Sequence, residues 1–107
     1  MVMIVTEIWY PAKASRLVAQ KYLEMTQKYP TDKSLGETVL HPIAQPTKEG
    51  MHTISVLKCR DDKIKECMLA EGKYMLAFAE IEGFHYSMHT YIDSTEAFSL
   101  LGMKGPQ

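Results

Sequence analysis

The chain has 107 residues, 46% of them hydrophobic and 23% charged, with a formal net charge of −1. The apolar fraction excludes intrinsic disorder. The charge is evenly spread, with 6 basic and 5 acidic groups in residues 1–53 against 6 and 8 in residues 54–107, so no basic face is offered to nucleic acid. No apolar run approaches the ~18 residues of a membrane span, and Met1 to Ile8 shows neither a basic region nor a cleavage site, which leaves the expectation of one cytoplasmic domain over residues 1–107 without a membrane partner.

Val2 to Tyr10, VMIVTEIWY, is rich in β-branched and aromatic residues and reads as a strand bounded by Pro11. Its apolar residues fall on both faces, Val2, Ile4 and Ile8 on one and Met3, Val5 and Trp9 on the other, as a strand covered on both sides requires. Pro11 suits the start of a helix, where its missing N–H costs nothing. From Ala12 to Tyr29 the residues Ala14, Leu17, Val18, Tyr22, Met25 and Tyr29 recur at helical spacing, and Pro30 ends the run.

Two extended runs follow, Gly36 to Pro46 and Met51 to Lys58, joined through Thr47-Lys48-Glu49-Gly50, whose Gly suits a left-handed position. Pro42 and Pro46 cannot donate to a ladder, so the first run belongs at a sheet edge, bent beside His41. With this turn His52 pairs with Gln45, and His41 and His52 stay about 13 Å apart. Arg60-Asp61-Asp62 opens a second helix with its acids at the positive end of the dipole. Ile64, Cys67, Met68, Met75, Phe78 and Ala79 form its inner face, and Gly83 is a ready cap.

Cys59 and Cys67 fit no zinc or CxxC pattern. Their spacing permits a disulfide, but one lies near a strand end and the other within a helix, which points to two reduced, half-buried thiols. In Phe84 to Ile92 the even residues Phe84, Tyr86, Met88, Thr90 and Ile92 face one way, and His85, Ser87, His89 and Tyr91 the other. Asp93 with Glu96 resembles a capping box for a short helix that Gly102 terminates.

The order β-α-β-β-α-β is that of the α+β, ferredoxin-like split βαβ unit: a four-stranded antiparallel sheet, order 4-1-3-2, with two helices on one face and a short C-terminal helix. One sheet face is then left open, and a first strand apolar on both sides does not leave that face simply to water. RNA-recognition domains carry a basic-Gly-aromatic octamer on the third strand, where this chain has MHTISVLK. Metallochaperones carry MxCxxC in the first loop and acylphosphatases an Arg in a Gly-rich first loop; this chain has Tyr10-Pro11-Ala12-Lys13.

The whole-chain topology, the doubly apolar first strand, the long hairpin and Gly83-Phe84 before the last strand resemble the dimeric α+β barrel superfamily of stress-responsive barrels and antibiotic-biosynthesis monooxygenases. The resemblance implies a homodimer with two sheets face to face. It also implies a cleft between sheet and helices for a small hydrophobic or aromatic ligand, or for haem with a His as axial ligand, although no cofactor is expected from the residues themselves.

Two functional classes follow. A small-molecule enzyme, of the cofactor-independent monooxygenase or isomerase type, would use Glu7, Tyr10, His85 and His89 for positioning and proton transfer, with Glu7 placed opposite Ser87 to orient an imidazole. A non-catalytic ligand-binding or assembly domain would instead use the His and Tyr stripe at its dimer contact. The second is favoured, because no nucleophile–base pair, metal set or phosphate loop is visible. Trp9, Tyr22, Tyr74, Phe78 and Tyr86 are the candidate pocket walls, with Tyr10 at the mouth. His85 and His89, about 13 Å apart along one strand, cannot chelate one metal ion, and no metal site is expected.

Overall fold

The computed structural model describes residues 1–105. Strand β1 (Val2–Tyr10) leads through a 3₁₀ turn (Ala12–Ala14) into helix α1 (Ser15–Lys28); strands β2 (Gly36–Thr47) and β3 (Gly50–Cys59) form the long hairpin. A second 3₁₀ turn (Asp61–Lys63) precedes helix α2 (Ile64–Leu76), strand β4 (His85–Ile92) and the short helix α3 (Ser94–Ser99). The sheet is antiparallel throughout, in the order β2-β3-β1-β4, as the element order predicts.

Local chemistry sets the joints. Thr47 pairs with Gly50, and the Thr47 hydroxyl donates to the Gly50 carbonyl at 2.6 Å, which closes the hairpin over Lys48 and Glu49. Gly50 has φ 137° and Gly83 φ 82°, both in the region that favours glycine; a Cβ on Gly83 would press on the Pro11 ring at 2.7 Å. The Asp93 carboxylate accepts from the Glu96 N–H at 2.8 Å and completes the expected capping box of α3. Register breaks in β2 between Thr38 and Leu40, and between Leu40 and Ile43, bend the edge strand around His41 and Pro42.

Both long helices lie on one sheet face. Ile4, Cys59 and Cys67 are fully buried at one end, with Leu35, Leu57 and Met68 around them. Ala14, Val18, Met25, Met75, Phe78 and Ile81 form a second cluster against Ile8, Tyr10 and Phe84. Of the expected inner-face residues, Leu17 of α1 and Tyr29, just past its end, are exposed instead; Tyr29 borders the open cleft, and only a narrow stripe of the helix, with Val18 and Met25, is buried. Ala79 is also exposed, since α2 ends at Leu76 before reaching it.

The cysteines require a correction. Cys59 and Cys67 are joined in a disulfide, with Cα atoms 6.6 Å apart. The 3₁₀ turn over Asp61–Lys63 doubles the chain back, so that the first turns of α2 lie over the end of β3. The expectation of two reduced thiols treated strand end and helix interior as distant, and that fold-back removes the distance.

The molecule is thin. Its extents are 49 × 31 × 17 Å and its radius of gyration is 15.5 Å, against about 13 Å for a compact domain of this length. The accessible surface is 7489 Å², where a folded monomer of this mass keeps about 6,000 Å². Among the described residues, no helix is long and apolar enough to cross a membrane.

Candidate functional site

The alternation of strand side chains sorts the polar residues onto two faces that do not communicate. On the helix side, Thr6 pairs with Ser55 and Ile8 with Thr53 across β1 and β3, so three hydroxyl side chains stand together on the sheet floor. Thr6 and Thr53 are buried. This is where a sheet packed under helices ordinarily presents Val, Ile or Leu. Above this floor the helices are parted, leaving a cleft of about 880 Å³. Tyr22 of α1 with Glu71 and Tyr74 of α2 are among its walls, and His41 stands at its exposed margin.

Glu71 is the residue that sequence reasoning missed. It lies four positions after the buried Cys67 and three before Tyr74, within the inward stripe of α2. Burial pushes its carboxyl above the ordinary carboxylate range, and the facing Thr6 hydroxyl draws it back down. Tyr74 is pushed well above the usual phenol range, by burial first and then by Tyr22 and Glu71 beside it, so its hydroxyl stays protonated and able to donate.

An aromatic ladder borders the cleft. Tyr10 stacks on Phe84 at 6.3 Å, Phe84 on Phe78 at 5.1 Å, and Phe78 meets Tyr74 at 6.0 Å. Of the expected pocket residues, Tyr10, Tyr22, Tyr74 and Phe78 line the cleft. Tyr86 packs beside Phe84 at 6.5 Å, outside the lining. Trp9 belongs to the opposite face, stacked on His52 at 5.2 Å and 8°.

The open face carries the other candidates. Glu7 does pair with Ser87, as expected. The imidazole beside Glu7 is however His52 of β3, with Nε2 3.7 Å from Oε2. His85 pairs with Trp9 and His89 with Val5. The proposed quartet is therefore divided, with Glu7, His85 and His89 on the open face and Tyr10 on the cleft side. The open face also holds two shielded polar atoms without a hydrogen bond among the described residues, Ser87 Oγ and His52 Nε2, the latter with only the 3.7 Å approach of Glu7. Among the described residues no three His, Cys, Asp or Glu side chains converge as a metal site. A haem with a histidine axial ligand does not fit the cleft interior, since His52, His85 and His89 face away from it and His41 is only at the margin.

No protein-family model matches the chain, and no curated protein matches it. Among solved structures it is similar to a formyltetrahydrofolate deformylase from Pseudomonas putida KT2440, with a TM-score of 0.44 at 11% identity. That match covers 83% of this chain and 28% of the other, so the chain spans under a third of that protein's length.

The raised carboxyl of Glu71 has a consequence for stability. An acid whose pKa is higher folded than unfolded binds more protons in the native state, so its ionisation costs stability as pH rises from its ordinary value near 4.5 through its folded value. Glu71→Gln keeps the Thr6 contact without the charge. We expect it to raise the melting temperature by a few degrees at neutral pH, with the gain vanishing below pH about 4. Thermal melts of both proteins across pH check this; a gain that persists in acid would show that charge burial is not the cause.

Proposed function

We propose that the protein is a non-catalytic small-ligand-binding domain that works as a homodimer of the dimeric α+β barrel type, with the sheet–helix cleft as the ligand site. The observation that carries this reading is the cleft itself: about 880 Å³, within the size range of small-molecule sites, with a hydroxyl floor where packing alone calls for aliphatic residues. Hydroxyl side chains at that position weaken the core, and a ligand that hydrogen-bonds to them offsets the cost. The divided quartet supports binding over the enzyme reading, because Glu7, His85 and His89 do not share the cleft with Tyr10.

Three features support the second copy. The open face presents Met3, Val5, Trp9, Ile54 and Val56 in adjacent register positions. The single chain keeps about 1,500 Å² more surface, 7489 Å² against about 6,000 Å², than a monomer of its mass. The two unpartnered polar atoms lie on that same face, where buried polar groups ordinarily find partners.

Ala44 tests the cleft. It is exposed on the edge strand β2, pairs with Thr53 and lines the cavity. The uncharged fluorophore N-phenyl-1-naphthylamine is expected to bind the wild type saturably, and Ala44→Trp, which fills the cavity from its rim, to abolish that binding with an unchanged melting temperature. Undiminished binding in a folded Ala44→Trp protein would place the apolar site elsewhere.

A further inference from the structure

The contents of the cleft specify a ligand more narrowly than its volume does, and this inference rests on reading the cleft as the binding site. Among the described residues Glu71 is the only carboxylate in the walls between the sheet and the two helices; the other acid of the lining, Asp32, is exposed at the margin and turned to Ser34, whose hydroxyl donates to it at 2.6 Å. Among the described residues Glu71 makes no ion pair. The two lysines of the lining, Lys28 and Lys73, are exposed, and Lys28 is set over the Tyr29 ring at 5.6 Å. A half-buried carboxylate without a cation is costly, and a cation supplied from outside offsets that cost.

The surroundings of Glu71 are suited to such a cation. One helical turn away stands Tyr74, the inner end of the ladder Tyr10–Phe84–Phe78–Tyr74. Aromatic faces beside a carboxylate attract ammonium groups through the ring quadrupole and pack against flat apolar surfaces. On the floor, Thr6, Thr53 and Ser55 can accept the remaining N–H donors, since a hydroxyl oxygen accepts as readily as it donates. An anionic ligand would meet Glu71 as a like charge.

We propose that the cleft binds an aromatic amine whose nitrogen is carried on an alkyl arm and so is protonated at neutral pH, its flat ring against the Phe78–Tyr74 wall and its ammonium group turned inward onto Glu71. The ligand's charge is then neutralised by Glu71 and its hydrogen bonds are completed by the sheet hydroxyls.

Three isosteric probes separate this claim from the cleft reading beneath it: 2-(aminomethyl)naphthalene, 2-naphthalenemethanol and 2-naphthoic acid, each titrated by calorimetry at neutral pH. Methyl resonances of Ile8 and Met75 report the cleft, and those of Val5 and Ile54 report the opposite face. The amine is expected to bind at the cleft methyls about tenfold more tightly than the alcohol, as a charge-assisted hydrogen bond provides, and the acid most weakly. Glu71→Gln should remove the amine's advantage over the alcohol, and Glu71→Asp should retain part of it. Equal binding of amine and alcohol at the cleft methyls, or tighter binding of the acid, would overturn the amine assignment and leave the ligand site standing. Failure of all three to move the cleft methyls would overturn the site itself.

Discussion

Val5→Lys should convert a dimer into a folded monomer. Val5 lies in the central strand on the face away from the helices, opposite Val56 on one side and His89 on the other. In an isolated chain a lysine there reaches water, so folding survives. In a sheet-to-sheet dimer the same ammonium is sealed off from water, and the acid of that face near it, Glu7, already lies 3.7 Å from His52 Nε2. An uncompensated buried charge costs about 3–5 kcal/mol, which weakens association by two to three orders of magnitude. Leu17→Lys supplies the control, because Leu17 is exposed on α1 and belongs to no proposed contact. Sedimentation velocity across a dilution series distinguishes the two variants. Dissociation by Leu17→Lys with Val5→Lys still dimeric would put the interface on the helix side and leave the open face unexplained.

The second large effect concerns the disulfide. The bond between Cys59 and Cys67 closes a loop of eight residues, for which chain-entropy reasoning gives about 2.5 kcal/mol. In a domain this small that shifts the melting temperature by roughly 10–20 °C. The double variant Cys59→Ala, Cys67→Ala should therefore melt lower by that amount. Its cleft should also loosen, because Cys67 belongs to the cavity wall and the bond ties the first turns of α2 to the end of β3. Alkylation of the denatured, unreduced wild type checks the premise. Two blocked thiols are expected in that sample, and two readily alkylated ones would remove the bond from the account.

Much of the frame was legible because sheets obey a period of two and turns obey glycine. Phe84 to Ile92 alternate without a break, which fixed the faces of β4, while the register that puts Ser87 opposite Glu7 came from the structure. Gly50 set the hairpin register and hence the pairing of Gln45 with His52. Pro42 and Pro46 identified β2 as the edge. The site was less legible, for reasons that are also physical. Glu7 and Tyr10 are three positions apart on one strand and so point to opposite faces; joining them in one quartet overlooked that parity. Trp9 was assigned to a pocket for its chemistry although its own strand placed it with Met3 and Val5. Glu71 escaped notice because helical faces were traced through apolar residues, whereas the useful sign was a lone acid inside such a face, four residues after Cys67. His52 came to Glu7 from the neighbouring strand, through a diagonal contact that no spacing within one strand encodes. The disulfide depended on a 3₁₀ fold-back of three residues, too short to leave a periodic signal.

The most direct test of a homodimeric ligand-binding domain is native mass spectrometry of the purified wild-type protein, which reads assembly and bound mass together. The account predicts a species at twice the 12.2 kDa chain mass, carrying up to two copies of a small molecule that is released on denaturation and absent from Ala44→Trp. A monomer at every concentration, with no mass retained and none taken up from added aromatic amines, would contradict it.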